Sequence, residues 1–311
     1  MMPDRPPLLI DCDPGHDDAV AILVGYRHFD LKAITTVHGN SPLSNTTRNA
    51  LAMLELAGIE DVPVAAGAAS PLVGEAPNAA HVHGKTGLDG HDLPEPKQTP
   101  VPDHAIDVII ETARRHQGEL VLSVIGPATN IALALLKEPR LTSWVKEVTV
   151  MGGSGGWGNM TPAAEFNAYC DPEAQAALYA AKWPVRMVGV NITRTVGINA
   201  AEIGTLRQSG KRTAGAIADL LTFYMSRQTE RTGMTHAPMH DACALIPLLD
   251  PTGMDYVETR VEVELQGKFT RGMTVCDLRG VKVRKPNARV AVKPDRERLV
   301  GMMMDTVLSY P

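Results

Sequence analysis

The 311-residue sequence predicts an α/β protein with a mixed, mostly parallel open sheet flanked by helices. Short apolar segments alternate along most of the chain with longer segments whose apolar residues recur at helical spacing. Such alternation is typical of βαβ units, in which helices cover both faces of a parallel sheet. Hydrophobic residues form 44% of the chain, which is enough for a large core. We find no internal repeat or clear linker and predict a single domain over residues 1–311.

The first half of the chain begins with a predicted buried strand at residues 8–12, which Pro14 and Gly15 end in a turn. A helix with acidic residues in its first turn follows from Asp17. The elements predicted next are a strand at 31–37, a helix with Ser41 as its cap and Pro42 as its first residue that runs to Gly58, and a strand at 62–66.

Residues 68–103 follow no periodic pattern and contain six prolines and four glycines. Three histidines, His81, His83 and His91, also lie in this segment. A loop of this length inside a compact domain is usually functional or disordered. Because polar residues concentrate around His81 and His83, we predict a loop that covers a site.

Regular alternation resumes after this loop and continues to the end of the chain. It predicts a C-terminal hairpin, followed by a last helix. The predicted elements are a helix at 103–116, a strand at 120–125, a helix at 128–136, strands at 147–151 and 185–190 around a helix at 172–181, two helices within 198–231, a helix at 240–249, hairpin strands at 257–265 and 273–276, and a helix at 295–309.

Composition limits the classes of partner. The net charge is −5 without a basic cluster, which argues against nucleic acid. No apolar segment is long enough for a membrane span, and the N-terminus lacks the apolar core of a signal peptide, so we predict a cytoplasmic protein. The cysteines are isolated from one another and form no CxxC motif, which is consistent with a reducing compartment. A small-molecule substrate is the better expectation.

The strongest indication of chemistry in the sequence is a group of acidic residues. Asp11, Asp13, Asp17 and Asp18 surround the predicted turn after the first strand. Asp11 and Asp13 are two residues apart, so they would share one face of an extended strand. Crowded carboxylates repel one another unless a cation joins them, and an all-oxygen ligand set suits Ca²⁺ or Mg²⁺. The simpler interpretation is an acidic turn with a helix cap, since acidic residues are favoured in the first turn of a helix.

Two motifs suggest other chemistry. Residues 153–158 match the dinucleotide-binding pattern G-x-G-x-x-G, but the residues that follow do not open a helix, so we reject that cofactor. The Asp11-x-Asp13 pair is similar to haloacid-dehalogenase-type phosphatases, in which the first aspartate is a nucleophile. Pro14 and Gly15 follow the pair at once, and no convincing set of partner residues appears later.

Six segments, in order and spread over nearly the whole chain, carry a more specific resemblance. They are 11–19 (Asp-Cys-Asp-Pro-Gly-His-Asp-Asp-Ala), 35–40 (Thr-Thr-Val-His-Gly-Asn), 126–130 (Gly-Pro-Ala-Thr-Asn), 150–153 (Val-Met-Gly-Gly), 164–167 (Ala-Glu-Phe-Asn) and 240–241 (His-Asp). In these segments the sequence resembles the inosine–uridine-type nucleoside N-ribohydrolases. The resemblance implies a Rossmann-like nucleoside hydrolase fold, a tightly bound Ca²⁺, hydrolysis of ribonucleosides to free base and ribose, and a homodimer or homotetramer.

Matched by position, the resemblance also implies roles for individual residues. Asp13 would be the general base for the attacking water, and His240 the acid that assists the leaving base. The calcium ligands would be Asp13, Asp18, the carbonyl of Thr129, and Asp241. The residues that contact the substrate would be Asp17, Asn40, Asn159, Glu165 and Asn167 at the ribose, Met151 against the sugar, and His83 and Gln228 on the side of the base.

The base side departs from the family pattern. Gln228 stands where members of the family often carry a tyrosine that contacts a purine. An amide donates and accepts hydrogen bonds but stacks poorly, which suits the polar edge of uracil or cytosine. Phe223 and Tyr224 lie about one helical turn earlier and could still reach the pocket. We therefore expect uridine or cytidine to be cleaved faster than inosine.

Two other functions remain as alternatives. A calcium-dependent nucleoside-binding protein without turnover would not need Asp13, because binding alone requires no base. A phosphorylase would need a cradle of basic residues or helix N-termini for phosphate, and no basic cluster is present in the sequence.

Overall fold

The computed structural model describes residues 5–280 and 284–311, so the first four residues of the predicted domain and residues 281–283 lie outside it. A central sheet has eight strands in the order β3-β2-β1-β4-β5-β6-β12-β9. Its pairs are parallel except for β12 with β9, which is antiparallel, so the predicted mixed and mostly parallel sheet is confirmed. The eight strands are β1 (Pro7–Cys12), β2 (Asp30–Thr36), β3 (Val64–Ala66), β4 (Val121–Val124), β5 (Glu147–Met151), β6 (Val185–Val188), β9 (Met254–Thr259) and β12 (Ala288–Pro294).

Two small antiparallel pairs stand beside this sheet: β7 (Gly197–Asn199) with β8 (His236–Pro238), and β10 (Val261–Val263) with β11 (Thr274–Cys276). A 3-10 turn occupies Pro251–Gly253. The helices are α1 (His16–His28), α2 (Leu43–Ala57), α3 (Ala80–His83), α4 (Ala105–Arg115), α5 (Thr129–Lys137), α6 (Leu141–Trp144), α7 (Phe166–Cys170), α8 (Pro172–Ala180), α9 (Val190–Thr193), α10 (Ala200–Gln208), α11 (Arg212–Thr232), α12 (Ala242–Leu249) and α13 (Arg296–Leu308).

Helices cover both faces of the sheet. Successive side chains of a strand point to opposite faces, and β1 shows this directly. Leu8 and Ile10 belong to one cluster of buried apolar side chains, which includes α1, α11, α12 and α13. Leu9 belongs to a second cluster, which includes residues of α4, α5 and α8. Among the described residues, no helix is both long and apolar enough to cross a bilayer.

The strand order reverses between β1 and β4, which lie side by side at the centre of the sheet. In open α/β sheets, the crevice outside the carboxyl ends of the strands at such a reversal is where ligands bind. Asp13 directly follows β1, and Ile125 directly follows β4. The topology therefore brings the acidic segment of the sequence to this crevice.

The C-terminal region differs from the prediction. Residues 257–265 were expected to form one hairpin strand, but residues up to Thr259 belong to β9 in the central sheet. Only β10 pairs with β11 as a hairpin. The sequence analysis also missed β12, which lies between β6 and β9. A short strand of this kind is decided by its sheet partners, which local pattern does not reveal.

Smaller differences concern the ends of elements. Strand β6 ends at Val188 because the backbone turns into α9 at Val190. Ile198 was expected to be helical but lies in β7, and the next helix starts only after Asn199, whose side chain caps it. Helix α2 begins one residue later than expected, with Pro42 as its N-cap.

Truncation of a buried leucine on α1 tests the packing of this fold. Leu23 is fully buried in the cluster between α1 and the sheet, whereas Leu136 on α5 is 76% exposed. Leu23→Ala is expected to lower the free energy of unfolding by about 2–5 kcal/mol, because the methyl groups removed leave a cavity. Leu136→Ala, the same change in a helix, is expected to stay within about 0.5 kcal/mol of wild type. Urea unfolding followed by circular dichroism measures both values, and equal effects would contradict this account of the core.

Candidate active site

A cavity of about 300 Å³ opens outside the carboxyl ends of the central strands. Asn40, Ile125, Met151 and Val190 line it, and they lie at or just after the ends of β2, β4, β5 and β6. Most residues singled out from the sequence also lie in its wall. Those residues are Asp17, Asn40, His83, Met151, Asn159, Glu165, Asn167, Gln228, His240 and Asp241.

The inner end of the cavity is acidic. The carboxylates of Asp17, Asp18 and Asp241 lie within 4.8 Å of one another, and all three residues are buried. Asp13 lies beside them and accepts a hydrogen bond of 2.7 Å from the backbone N–H of Asn40. Helix α1 supplies Asp17 and Asp18 from its first turn, and Asp241 is the N-cap of α12. Two helix N-termini therefore deliver carboxylates to one point.

Burial and mutual repulsion raise the pKa values of the carboxylates in this cluster. Burial, followed by the charge of Asp18, raises the pKa of Asp17 to about 8. Burial also raises the pKa of Asp18 to about 6. For Asp13 and Asp241 the pKa lies well above the usual range, because of burial first and neighbouring carboxylates second. A cation between these groups would favour their charged forms and reverse the shifts.

The cluster has the character of a site for a hard cation. Within residues 5–280 and 284–311, Oδ1 of Asp18 is buried and has no hydrogen-bond partner. Its other oxygen accepts from the backbone N–H of Gly15 at 2.8 Å. A buried carboxylate oxygen without a donor is costly unless a cation satisfies it. Because the donors are all oxygens, the residues present fit calcium better than a transition metal.

Glycines let the backbone approach Asp13. A Cβ atom on Gly39 would stand 2.1 Å from Oδ2 of Asp13, and Gly39 has a φ of +155° that side chains rarely adopt. A Cβ on Gly126 would stand 2.8 Å from Oδ1. Both carboxylate oxygens of Asp13 are thus confined between the turns that follow β2 and β4, which fixes their position.

Asp11 does not join the cluster. Its Oδ1 accepts hydrogen bonds from Thr35 Oγ1 at 2.6 Å and from Asn130 Nδ2 at 2.8 Å. The sequence analysis expected Asp11 and Asp13 to share one face of a strand. Asp11 lies inside β1, but Asp13 lies beyond the end of this strand, so that expectation was wrong. Because Oδ1 of Asp11 is held by Thr35 and Asn130 and, among the described residues, no carboxylate of the cluster is hydrogen-bonded to it, Asp11 is poorly placed as a nucleophile, which disfavours the phosphatase alternative.

Thr129, a predicted site residue, does not belong to the cavity wall. It begins α5, and its hydroxyl donates to Asp171 Oδ2 at 2.7 Å. The same hydroxyl lies 3.0 Å from His38 Nε2. Ile125 lies in the cavity wall instead, and its carbonyl accepts from Asn167 Nδ2 at 2.9 Å. The sequence analysis missed Ile125 because any residue type supplies a backbone carbonyl.

Asparagine amides occupy one side of the cavity. Asn167 donates through Nδ2 to the carbonyls of Ile125 and Met151, which leaves its Oδ1 as an acceptor. Asn40 donates through Nδ2 to the carbonyl of Asp13 at 3.1 Å, so its Oδ1 is oriented in the same way. Glu165 caps α7, and backbone N–H groups of Gly153, Asn167 and Ala168 donate to its carboxylate. Burial nevertheless raises the pKa of Glu165 to about 7.

The opposite side of the cavity carries histidines and the residues of α11. His240 Nδ1 lies 2.6 Å from the hydroxyl of Thr193. Burial lowers the pKa of His240 to about 4, so the ring is neutral at pH 7 and offers a hydrogen bond more readily than a proton. Gln228 follows Tyr224 by one turn on α11, and both residues line the cavity. Tyr224 therefore reaches the cavity, as the spacing on α11 had suggested.

His16, which the sequence analysis did not single out, contacts His83 directly. Nδ1 of His16 lies 2.9 Å from Nδ1 of His83, and Nε2 of His16 lies 2.8 Å from the carbonyl of Asp89. A carbonyl only accepts, so Nε2 of His16 carries the proton. Burial lowers the pKa of His16 to about 4, so the ring is neutral and its Nδ1 must accept from Nδ1–H of His83. The backbone N–H of His16, 3.4 Å from the same nitrogen of His83, is too distant to compete.

Comparisons with known proteins agree with this geometry. The family model described as inosine-uridine preferring nucleoside hydrolase matches residues 8–301. The pyrimidine-specific ribonucleoside hydrolase RihA of Salmonella paratyphi A is 42% identical over 307 residues, covering 98% of this chain and 99% of that protein.

Solved structures of nucleoside hydrolases also match this chain. A plant nucleoside hydrolase, PpNRh1, superimposes with a TM-score of 0.91 at 31% identity, covering 99% of this chain and 100% of that one. A purine-preferring ribonucleoside hydrolase from Gardnerella vaginalis gives a TM-score of 0.91 at 28% identity, covering 97% and 98%.

The class that fold and site define is therefore that of the ribonucleoside hydrolases, enzymes that cleave an N-glycosidic bond with water to give a free base and ribose. Within this class, the chain belongs to the inosine-uridine preferring nucleoside hydrolase family. A metal site is characteristic of this family, and the buried aspartate cluster is where this chain provides one.

The histidine pair gives a direct spectroscopic prediction. His83 is expected to carry its proton on Nδ1, the less common neutral tautomer, because His16 accepts there. This leaves Nε2 of His83 as a free acceptor. Two-bond ¹H–¹⁵N spectra of protein labelled at histidine distinguish the two tautomers. In His16→Phe, which keeps a ring against Tyr224, His83 is expected to revert to the Nε2–H form. A wild-type His83 protonated on Nε2 would contradict the assignment.

Proposed function

We propose that the protein is a calcium-dependent ribonucleoside hydrolase that prefers pyrimidine ribonucleosides. The observation that carries the metal proposal is the buried cluster of Asp17, Asp18 and Asp241. Across the described ranges of the chain, no lysine or arginine forms a salt bridge with these carboxylates. Buried carboxylates without a cationic partner need another source of positive charge.

Asp13, Asp18 and Asp241 are the proposed side-chain ligands. Calcium accepts six to eight oxygen ligands, among them carboxylates and backbone carbonyls. The carbonyl assigned to Thr129 from the sequence stays a prediction. The carbonyl of Ile125 is the alternative that we favour, because Ile125 lies in the cavity wall at the end of β4. When bound, calcium supplies positive charge that orients the sugar diol and lowers the pKa of a water molecule.

Asp13 is the proposed general base. Hydrogen bonding to Asn40 and the close approach of Gly39 hold its carboxylate in one orientation. It accepts a proton from the attacking water while the water oxygen bonds to the anomeric carbon. The carbon–nitrogen bond breaks, and its electron pair leaves with the base. Positive charge that develops on the ribose is stabilised by the surrounding carboxylates.

The asparagine side chains on one side of the cavity are the proposed contacts of the sugar. The free Oδ1 atoms of Asn40 and Asn167 are acceptors for ribose hydroxyls, and Asp17 accepts from the diol. Asn159 accepts from the backbone N–H of Phe166 through Oδ1, which leaves its Nδ2 to donate. Glu165 is a further acceptor for a ribose hydroxyl, through the lone pairs that its backbone donors leave free. Met151 supplies an apolar surface under the sugar ring.

The pyrimidine preference rests on Gln228 together with the relatives. Gln228 and Tyr224 present an amide and a hydroxyl to the base end of the cavity. The 42% identical relatives from Salmonella are named pyrimidine-specific, whereas the purine-preferring enzyme from Gardnerella vaginalis is 28% identical. His83 and His240 are the proposed hydrogen-bonding partners of the base. The single domain, the cytoplasmic location and the homodimeric or homotetrameric state stay predictions.

Aspartate variants separate the two roles of the acidic cluster. Asp18→Asn removes a ligand, so excess calcium is expected to restore part of the lost uridine hydrolysis. Asp13→Asn removes ligand and base together and is expected to lose about 10²–10⁴-fold in kcat from the base alone, which calcium does not restore. Asp107→Asn, an exposed carboxylate on α4, is the control and should behave as wild type.

Metal analysis of the purified protein accompanies these assays. Stoichiometric calcium and loss of activity on exhaustive chelation are expected. Full activity without any divalent ion, or equal rescue of Asp13→Asn and Asp18→Asn, would refute the assignment. Product analysis with and without phosphate should give free ribose in both cases, and ribose 1-phosphate would indicate a phosphorylase instead.

Base preference is tested at Gln228. The ratio of kcat/KM for uridine to that for inosine is expected to exceed one. Gln228→Tyr should move this ratio toward inosine by about one to two decades, the size of one or two lost polar contacts. Gln208→Tyr, at an exposed position at the end of α10, is the matched control. A wild-type preference for inosine with no effect of Gln228→Tyr would reject this account of the pocket.

A further inference from the structure

Two arginines line the cavity beside the residues proposed to contact the base. Arg194 and Arg231 both belong to its wall. In the part of the chain that the structure describes, neither guanidinium forms a salt bridge or a hydrogen bond. Several other arginines are in ion pairs, for example Arg186 with Glu147 and Arg271 with Glu173. Unpaired guanidinium groups in a substrate cavity are available to a ligand.

Arg194 is held in place by an aromatic ring. Its guanidinium carbon lies 4.4 Å from the ring centroid of Trp157, the geometry of a cation–π contact. Trp157 belongs to the glycine-rich segment that follows β5, and Ser154 Oγ donates to its carbonyl at 2.7 Å. This contact orients the guanidinium without neutralising it, so its five N–H donors are free for an acceptor.

Both guanidinium groups lie near proposed contacts of the base. Thr193, the residue before Arg194, has its hydroxyl 2.6 Å from Nδ1 of His240, and Arg194 and His240 both line the cavity. Arg231 follows Gln228 by three residues on α11, so the two side chains lie on one side of that helix. Arg194 is therefore a neighbour of His240, and Arg231, which is exposed to solvent, is a neighbour of Gln228.

The cavity wall carries charges of both signs. Carboxylates of Asp17, Glu165 and Asp241 belong to it beside the proposed ribose contacts, while Arg194 and Arg231 belong to it beside the proposed base contacts His240 and Gln228. Heterolysis of an N-glycosidic bond separates charge in the same sense, since the ribose becomes positive and the base negative. Fixed charges aimed at the positions where charge develops stabilise a transition state without reorganisation.

We propose that Arg194 and Arg231 stabilise the departing base as an anion, and that the enzyme therefore favours ribonucleosides whose bases are acidic. This inference rests on the proposed hydrolysis of pyrimidine ribonucleosides. The carbon–nitrogen bond breaks with both electrons moving to the base nitrogen, and the water oxygen bonds to the anomeric carbon after losing one proton to Asp13. The base leaves as its anion, held by the guanidinium groups, and takes a proton from solvent after release.

Binding of a base-shaped anion tests the site without turnover. Barbiturate has the shape of uracil and is an anion at neutral pH, so it is compared with neutral uracil by calorimetry. Wild-type protein is expected to bind barbiturate more tightly than uracil. Arg194→Gln and Arg231→Gln should each weaken barbiturate about tenfold, the scale of one charge-assisted hydrogen bond, and change uracil much less. Arg231→Lys, which keeps the charge, should recover part of the loss.

A matched control isolates charge from packing. Arg140 also stacks on a tryptophan, with its guanidinium carbon 5.1 Å from the ring centroid of Trp144, but lies outside the cavity wall. Arg140→Gln should leave the affinity for both ligands unchanged. Equal weakening of uracil and barbiturate in the cavity variants would show a structural role and overturn the proposal, as would a wild type that prefers uracil.

Leaving-group dependence provides the kinetic test. 5-Fluorouridine has a more acidic base than uridine, so its cleavage depends less on help from the protein. The ratio of kcat/KM for 5-fluorouridine to that for uridine is expected to rise about three- to tenfold in the arginine variants. An unchanged ratio would overturn the proposal. Failure of wild-type protein to hydrolyse uridine would instead refute the proposed pyrimidine activity, while the barbiturate measurement still decides the anion site.

Discussion

The carboxylates at the end of β1 impose the constraint on which the rest of the site depends. Asp17, Asp18 and Asp241 are buried within 4.8 Å of one another, with Asp13 beside them, and each repels the others. A chain folds with such a cluster only if opposing charge or protonation compensates it. Helix N-termini supply part of the compensation, and the proposed cation would supply the rest. The proposed reactivity of the site and its proposed need for a metal therefore have the same physical origin.

Close packing of the backbone around Asp13 makes the cluster precise. Gly39 and Gly126 leave no room for a side chain beside its oxygens, and a Cβ on Gly15 would stand 2.7 Å from Nδ1 of His83. The turns at Gly39 and Gly126 thus meet at one carboxylate, and the turn at Gly15 packs against His83 beside it. A general base gains from being held in a single orientation, because reacting atoms must be aligned for efficient proton transfer. This crowding explains why Gly15, Gly39 and Gly126 are glycines, as much as the geometry of their turns does.

In the proposed mechanism, charges of both signs in the cavity wall link substrate binding to catalysis. The carboxylates would stabilise a sugar that becomes positive, and Arg194 and Arg231 would stabilise the base that receives the electron pair. His83 and His240 are neutral because burial lowers their pKa. We therefore propose that they act on the base by hydrogen bonding, and the contact with His16 determines which nitrogen of His83 is free to do so. Specificity for the base and stabilisation of its departure would then depend on the same wall of the cavity.

The sequence by itself determined the sheet class, most long helices and the family, because apolar periodicity and the six motif segments are local features. It also identified ten of the residues that line the cavity, from Asp17 to Asp241. Only the tertiary structure decided that β12 enters the sheet, that Asp11 turns toward Thr35 and Asn130, and that Ile125 rather than Thr129 lines the cavity. Arg194, Arg231 and His16 likewise gained significance only from their neighbours. The reason is physical: periodicity reports which face of an element is buried, whereas a strand's partner, a carbonyl's direction and an unpaired charge depend on segments distant in the chain.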